Sequence, residues 1–424
     1  MTAPDALRPL KDAFAGLRVL DLTQNLPGPY CTLLLSSLGA DVVKIEPPRG
    51  EPARNVGRLF SLANRGKRSV ALDLKGEQDQ AILHRLIDKA DVMLEGFRPG
   101  VMERFGASAA QARERNPALI YCSISGFGQD GPKRDHPGHD LNYQAMTGVC
   151  HMMRSADDTP RGAALPVADL SASMTAFAAI SAALYARERT GEGRTLDVAL
   201  ADTLASWAFM WSEGLTPRKL GLEAGVPAAR QWLEGRSEGL PGPLAAVGRW
   251  IGDRVGAASV VDGARRASER LEGSELYARV GRVGLHALPH YGIYETQDGQ
   301  WLSVGIVDED KFWRALCRAL GVAALGELPL PARFLAGPAL RRTLAPIFAR
   351  KTLAQWLQTL DPQQIPIAPV VPVAEAVADP QLQMRFGGWT EPTLPSPFVL
   401  QRGLEAPELN AHRDLVLREW LGIE

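Results

Sequence analysis

The chain has 424 residues, 46% hydrophobic and 22% charged, enough apolar material for a large core and for two domains. Its 47 basic and 48 acidic residues nearly cancel, so no overall field draws it to nucleic acid or to an anionic membrane. Four scattered cysteines (Cys31, Cys122, Cys150 and Cys317) form no CxxC pair, which argues against a disulfide framework and for a reducing, cytoplasmic setting. The start, MTAPDALRPLKDAF, carries acids and no continuous apolar core, unlike a secretory signal. No run of about 18 apolar residues is expected to span a bilayer.

Residues 17–23 (LRVLDLT) read as a buried strand. A turn at Asn25–Pro29 leads into a leucine-rich helix that ends at Gly39. Asp41–Glu46 (DVVKIE) is a second strand, and strand–helix–strand at this spacing implies a parallel sheet. Ser69–Leu74 is a third strand, Glu77–Ala90 an amphipathic helix and Asp91–Glu95 a fourth strand. A short helix over Val101–Phe105 precedes a fifth strand, Leu119–Ser125. The first 125 residues therefore read as an open, doubly wound α/β domain.

From Asp169 to about Arg187 the pattern is helical, followed by a strand at Thr195–Val198 and another helix. Residues 214–285 are rich in Gly, Arg, Ala and Glu and show little periodicity, apart from a helix near Val261–Leu271. Tyr291–Val304 alternates as a hairpin about a turn at Gln297–Gly299. Asp310–Leu320 and Leu340–Leu357 read as amphipathic helices, and Leu409–Leu421 as a closing helix. The proline-rich stretches near 366–372 and 392–397 read as crossings.

Gly126-Phe-Gly-Gln-Asp-Gly131 follows the fifth strand in the pattern G-x-G-x-x-G. A nicotinamide site needs a helix to open there, and Pro132-Lys-Arg-Asp-His-Pro137 does not make one. No nicotinamide is expected. His136, His139, Asp140 and His151 lie close in sequence, but Pro137 prevents helical presentation and no fourth ligand is suitably spaced. No metal is expected.

Basic residues recur around the strands: Lys44 and Arg49, then Arg65, Lys67 and Arg68, then Arg98 and Arg104. Ligands of open α/β sheets bind beyond the carboxyl ends of strands, so these cations suggest a phosphorylated ligand there. Solvated loop charges are the competing reading for any one of them. His139 and Asp169 are the candidate proton-transfer or nucleophilic groups. The competing readings are a loop histidine and a helix N-cap.

These segments resemble the family III CoA-transferase superfamily (CaiB/BaiF type), in particular its α-methylacyl-CoA racemase branch. The resemblance runs from Gly16 to Asp202 through GLRVLDLTQNLPGPYCTLLLSSLGADVVKIEPP, NRGKRSVALDLK, DVMLEGFRPGVMERFG, NPALIYCSISGFGQDGP, GHDLNY and PVADLSASMTAF. YETQDGQWLSVG and AHRDLVLREWLGI extend it. It implies a large Rossmann-like domain (1–205), a linker (206–285), a smaller α+β domain (286–365) and a return to the large domain (366–424). It also implies an interlocked homodimer acting on an acyl-CoA thioester, with no nucleic acid and no membrane as partner.

Coenzyme A would lie along Lys44, Arg49, Arg65, Lys67, Arg68, Leu72, Lys75, Phe97, Arg98 and Arg104, with Gly126 and Gly128 at the glycine turn. Asp169 matches the aspartate that attacks the thioester in transferases and serves as one of two bases in racemases. His139 would be the second base, with Asp308 or Glu309 supporting it. The start of the Asp169 helix could also offer N–H groups to an enolate oxygen. No GGGGQ-like loop is present, which disfavours the formyl-CoA transferase branch. Racemisation of a 2-methylacyl-CoA is the leading expectation. CoA transfer between carboxylic acids is the alternative, and a non-catalytic acyl-CoA-binding homologue the third.

Overall fold

The structure, a computed structural model, describes residues 10, 12–153, 159–212, 288–307, 309–328, 333, 336–376, 378–381, 383 and 404–423. Two compact units emerge, residues 1–209 with 378–424, and residues 210–377. The expected helix near 261–271 and crossing at 392–397 lie outside the described residues.

In the first unit β1 (Arg18–Leu22) leads through α1 (Pro27–Ser37) to β2 (Asp41–Glu46). Then come α2 (Leu59–Ala63), β3 (Arg68–Ala71), α3 (Glu77–Ile87) and β4 (Val92–Glu95). Helices α4 (Val101–Arg104) and α5 (Ala109–Arg115) precede β5 (Ile120–Ser125). Helix α5 lacks an apolar stripe and was not expected; Ser108 and Gln111 cap it reciprocally. After α6 (Asp140–Met146), α7 (Val149–Met152) and α8 (Val167–Thr190) come β6 (Thr195–Ala199) and α9 (Leu200–Ser212).

The strands run parallel in the order β3-β2-β1-β4-β5-β6, the doubly wound arrangement. Its strand order reverses between β1 and β4. Both faces are buried, which is why the strands read as nearly continuous apolar runs. Val19, Val42, Leu94 and Cys122 pack with Ala168, Ala172 and Ile180 of α8. Leu20, Val43, Val70 and Tyr121 pack with Leu83 and Leu86 of α3. By length and composition alone helix α8 could cross a membrane, as a core helix of this kind can, and 44% of its most apolar stretch is buried within the protein. Its small residues let α1 come close, and Ser173 Oγ donates to the Pro27 carbonyl at 2.7 Å.

The second unit holds the expected hairpin, β7 (Tyr291–Glu295) and β8 (Trp301–Gly305). Strand β9 (Ile367–Val370) pairs with β8, so the segment near 366–372 is a strand rather than a crossing. Pro369 is tolerated because β9 lies at the edge. Helices α10 (Asp310–Ala319), α11 (Gly337–Phe348), α12 (Leu353–Leu360) and α13 (Val373–Ala376) belong to this unit as well. The single helix expected over 340–357 is broken before Leu353, where Thr352 Oγ1 accepts the Gln355 amide. Trp313, Phe348 and Trp356 centre its core.

Helix α14 (Arg413–Leu421), back in the first unit, starts later than expected. The residues before it lie along β3: Asn410 Oδ1 accepts the Ala71 amide at 2.8 Å, and the His412 amide donates to Ser69 O at 3.1 Å.

A buried ionic network joins β1, β2 and α1. Asp21, Lys44 and Glu51 are each 0–1% exposed, and Lys67 is 4% exposed. Lys67 Nζ donates to Asp21 Oδ2 (3.0 Å), Pro29 O (2.9 Å), Thr32 Oγ1 (2.7 Å) and Asn64 Oδ1 (2.7 Å). Lys44 Nζ lies 3.0 Å from Glu51 Oε1 and donates to Thr23 O at 3.0 Å. Glu51 in turn accepts the Asn25 amide at 2.7 Å, holding the turn before α1. Burial alone would raise the Asp21 carboxyl, but Lys44 and Lys67 hold it well below the carboxylate range. Burial lowers Lys67 to about 8, with Asp21 opposing, so both partners stay charged at neutral pH. At Gly28 a Cβ would fall 2.2 Å from Thr23, so only glycine admits this approach. Lys67→Met should leave Asp21 buried without its hydrogen-bonded cation, facing only Lys44 at 3.9 Å, and cost about 3 kcal/mol of stability. Urea denaturation measures it, and a loss below about 1 kcal/mol would place the pair in the class of surface salt bridges.

Candidate active site

Strand β5 ends at Ser125 and the chain turns through Gly126 and Gly128. No helix opens there; residues 126–138 are turns and coil. A Cβ on Gly126 would lie 2.3 Å from the Tyr143 hydroxyl, and one on Gly138 2.8 Å from it. Gly128 has φ +88, which favours glycine, and a Cβ there would sit 3.5 Å from Asp197 Oδ2. The space left by the missing side chain of Gly126 is thus taken by Tyr143, rather than standing open to a ligand as expected.

His139 is exposed and stands just before α6, its amide donating to Asn142 Oδ1 at 3.0 Å. Asp140 follows, and its side chain crosses to the start of α8. Oδ1 accepts the amides of Ala168 (2.7 Å) and Asp169 (3.2 Å). Oδ2 accepts from the Gln144 amide nitrogen, and Gln144 Oε1 accepts the Ala163 amide at 2.7 Å. Asp140 therefore caps α8 from outside it, at the positive end of the helix dipole. The N–H groups expected for an enolate oxygen are occupied by this carboxylate. In sequence Asp140 reads as a carboxylate beside His139, open to proton chemistry or to a metal, and not as a cap. The available signal was its spacing to Gln144, one helical turn away.

Asp169 is not the N-cap. That position is Pro166, and Asp169 is the third helical residue. No described residue donates a hydrogen bond to its carboxylate. Burial first, and the Asp140 charge second, raise it from an ordinary 3.8 to about 7. The Tyr143 phenol is also raised, by burial and then by Asp169. Asp169, Asp140 and Tyr143 thus form one electrostatic cluster, with His139 next to Asp140 in sequence.

At the carboxyl ends of β1–β4 lies a groove of about 150 Å³. Leu22, Ile45 and Leu72 line it, with Lys75, Phe97 and Phe105. Leu72, Lys75 and Phe97, scattered in sequence, meet here. Phe97 and Phe105 pack edge to face, 6.3 Å apart. Arg49 and Arg98 are exposed on the adjoining turns, Arg104 is exposed at the end of α4, and Arg65 is half-buried.

Three expected phosphate ligands are placed elsewhere. Lys44 and Lys67 are buried and committed to the Asp21–Glu51 network. Arg68 begins β3, at the amino end of the sheet, and pairs with Asp41 and Glu419. The sequence shows a cation beside a strand but not which end it faces. Arg134, which the sequence reading passed over, comes within 3.9 Å of the position of a Cβ on Gly100. It thus adds a guanidinium beside Arg98.

Asp308 lies outside the described residues. Glu309 precedes α10 in the second unit and accepts the Val307 amide at 2.9 Å.

The chain matches the family model of CoA-transferase family III over residues 14–221 and 258–396. It is 32% identical over 398 residues to an acetyl-CoA:oxalate CoA-transferase of Acetobacter aceti, covering 91% of this chain and 87% of that one. It is 30% identical over 367 residues to the human alpha-methylacyl-CoA racemase, covering 86% and 79%. The crystal structure of a CAIB/BAIF family protein from Brucella suis superposes with a TM-score of 0.69 at 26% identity, covering 97% of this chain and 100% of that one. With the doubly wound sheet and a family match over most of its length, the chain belongs to CoA-transferase family III and is an enzyme of that superfamily.

Proposed function

We propose that the enzyme racemises or epimerises a 2-methylacyl-CoA by passing its α-proton between Asp169 and His139. The observation that carries this reading is the Asp140 bridge. One carboxylate holds the amide of Asp169 and is the sequence neighbour of His139, so two unlike proton carriers flank it. The α-proton of a thioester is weakly acidic, and its removal needs a positioned base. Inversion needs a donor on the opposite face, hence a pair. A carboxyl at about 7 is populated in both protonation states at neutral pH, as an exchanging pair requires.

The groove at the strand ends, about 150 Å³, is of a size to seat the adenine ring of coenzyme A rather than the whole molecule. The Phe97 and Phe105 rings and Leu72 offer apolar surface for an adenine. Arg98, Arg104 and Arg134 offer charge-assisted bonds to phosphate. CoA transfer is the second reading, favoured by an Asp169 carboxylate that no described residue engages and by the resemblance to the Acetobacter enzyme. It needs Asp169 as nucleophile and leaves His139 without a task.

In heavy water the enzyme should place deuterium at the α-carbon of a chiral 2-methylacyl-CoA, and His139→Ala and Asp169→Ala should each abolish racemisation. CoA passing between two acids, without exchange and with His139 dispensable, would sink the racemase reading and uphold the transferase one. Calorimetry of CoA binding should show roughly tenfold weaker affinity for Arg98→Ala and for Arg104→Ala. Unchanged affinity places the phosphates elsewhere.

The raised Asp169 carboxyl also makes a stability prediction. Well below the ordinary 3.8, at about pH 3, the group is protonated in both folded and unfolded chains and contributes no difference. As pH rises from there towards about 7 the unfolded chain ionises first, so folding loses stability. Asp169→Asn should therefore melt higher than the wild type at pH 8 and nearly level with it at about pH 3. Equal melting points at pH 8 would show that the carboxyl is not raised.

A further inference from the structure

We propose that Tyr143 is a catalytic residue whose phenolic O–H donates a hydrogen bond to the thioester oxygen as negative charge develops on it. The proposal rests on a thioester reacting beside Asp169, and it holds under either reading of the reaction. Three observations on this side chain converge.

The first is its seat. Tyr143 is 4% exposed, and its hydroxyl lies against the α-carbons of Gly126 and Gly138, where no side chain could stand. Phe127 packs edge to face on its ring at 5.2 Å. Two glycines and an aromatic therefore fix the direction of the phenol, so little reorganisation is needed when charge develops.

The second is the hydroxyl's missing partner. Buried phenols normally find one. No described residue bonds to the Tyr143 hydroxyl, and it is not among the sealed-off polar atoms that lack a partner. Other buried tyrosines here do bond: Tyr121 donates to Ala107 O at 3.1 Å, and Tyr294 to Pro289 O.

The third is what surrounds it. The neighbouring Asp169 charge adds to burial in raising the phenol, which puts Tyr143 within electrostatic reach of that carboxyl. The first-turn amides of α8, the other donors at hand, are held by Asp140. An oxyanion beside Asp169 thus has Tyr143 as its uncommitted donor among the residues of this cluster. In α-proton transfer the Cα–H electron pair becomes the enolate double bond, charge moves to the thioester oxygen, and the proton passes to Asp169 or His139. Tyr143 keeps its own proton throughout and only shares it.

The test is Tyr143→Phe in the full-length enzyme, with kcat and KM measured on the turnover reaction. The phenyl ring keeps the packing, so the melting point should hold while kcat falls about 100-fold with KM little changed, the size of effect seen for one oxyanion donor. Gly126→Ala, which displaces the phenol, should lower kcat while Tyr143 is still present. A kcat for Tyr143→Phe within about threefold of the wild type, or a loss confined to KM, overturns the proposal. Absence of deuterium exchange in the wild type would end the racemase reading alone, because the same kcat comparison is then made on CoA transfer.

Discussion

Asp21 is a carboxylate that water does not reach, at the carboxyl-side half of the central strand. An isolated charge there would cost several kcal/mol. Lys67 and Lys44 balance it, together with the hydroxyls of Thr23 and Thr32. Each partner arrives from a different segment: β2, the turn before β3, the turn after β1, and α1. Glu51 carries the network on to Asn25 and, through its amide, to Glu46, which Arg54 and Ser69 also hold. One desolvated charge thus dictates the path of the chain at the strand ends where ligands of such sheets bind. Breaking it would disturb the turn before α1, and α1 is the helix on which α8 packs.

The start of α8 poses the same problem with the opposite sign. Helix N-termini present unsatisfied N–H groups and a partial positive charge. Proline stands where a capping side chain would be, so the cap comes from Asp140, in another helix. Two consequences follow from this one contact. The loop bearing His139 is tied to the helix bearing Asp169. A second carboxylate also adds repulsion to burial, and Asp169 keeps its proton up to neutral pH. The Asp169 side chain is left without a capping duty because Asp140 does the capping.

The sheet order sets where these features stand. Its reversal between β1 and β4 opens a crevice at the carboxyl ends of the strands. The groove of Leu72, Lys75 and Phe97 lies at that edge, and the first residue of α1, Pro27, bonded to Ser173 of α8, follows the turn after β1. On the proposed reading an extended thioester would lay its nucleotide in the groove and its carbonyl towards Asp169 and Tyr143.

The sequence by itself determined the parallel sheet, because a strand buried on both faces must read as an apolar run, and RVLDL, DVVKIE and IYCSIS do. It also marked Asp169 and His139, through motifs that resemble those of known enzymes. Tertiary structure decided what each charge is for. Lys67 and Arg98 look alike in sequence, yet one is sealed beneath α1 and the other exposed beside a groove, since the end of a strand that a side chain faces depends on the pairing of strands far apart in the chain. The edge strand β9 escaped for a related reason, since its partner β8 lies more than 60 residues away. The split between α11 and α12 was legible in the Thr352-x-x-Gln355 capping box, but the apolar pattern runs on across it. Asp140 and Tyr143 gained their roles only when 28 residues of separation closed to hydrogen-bond distance between Asp140 and Ala168, and when two glycines made room for a phenol.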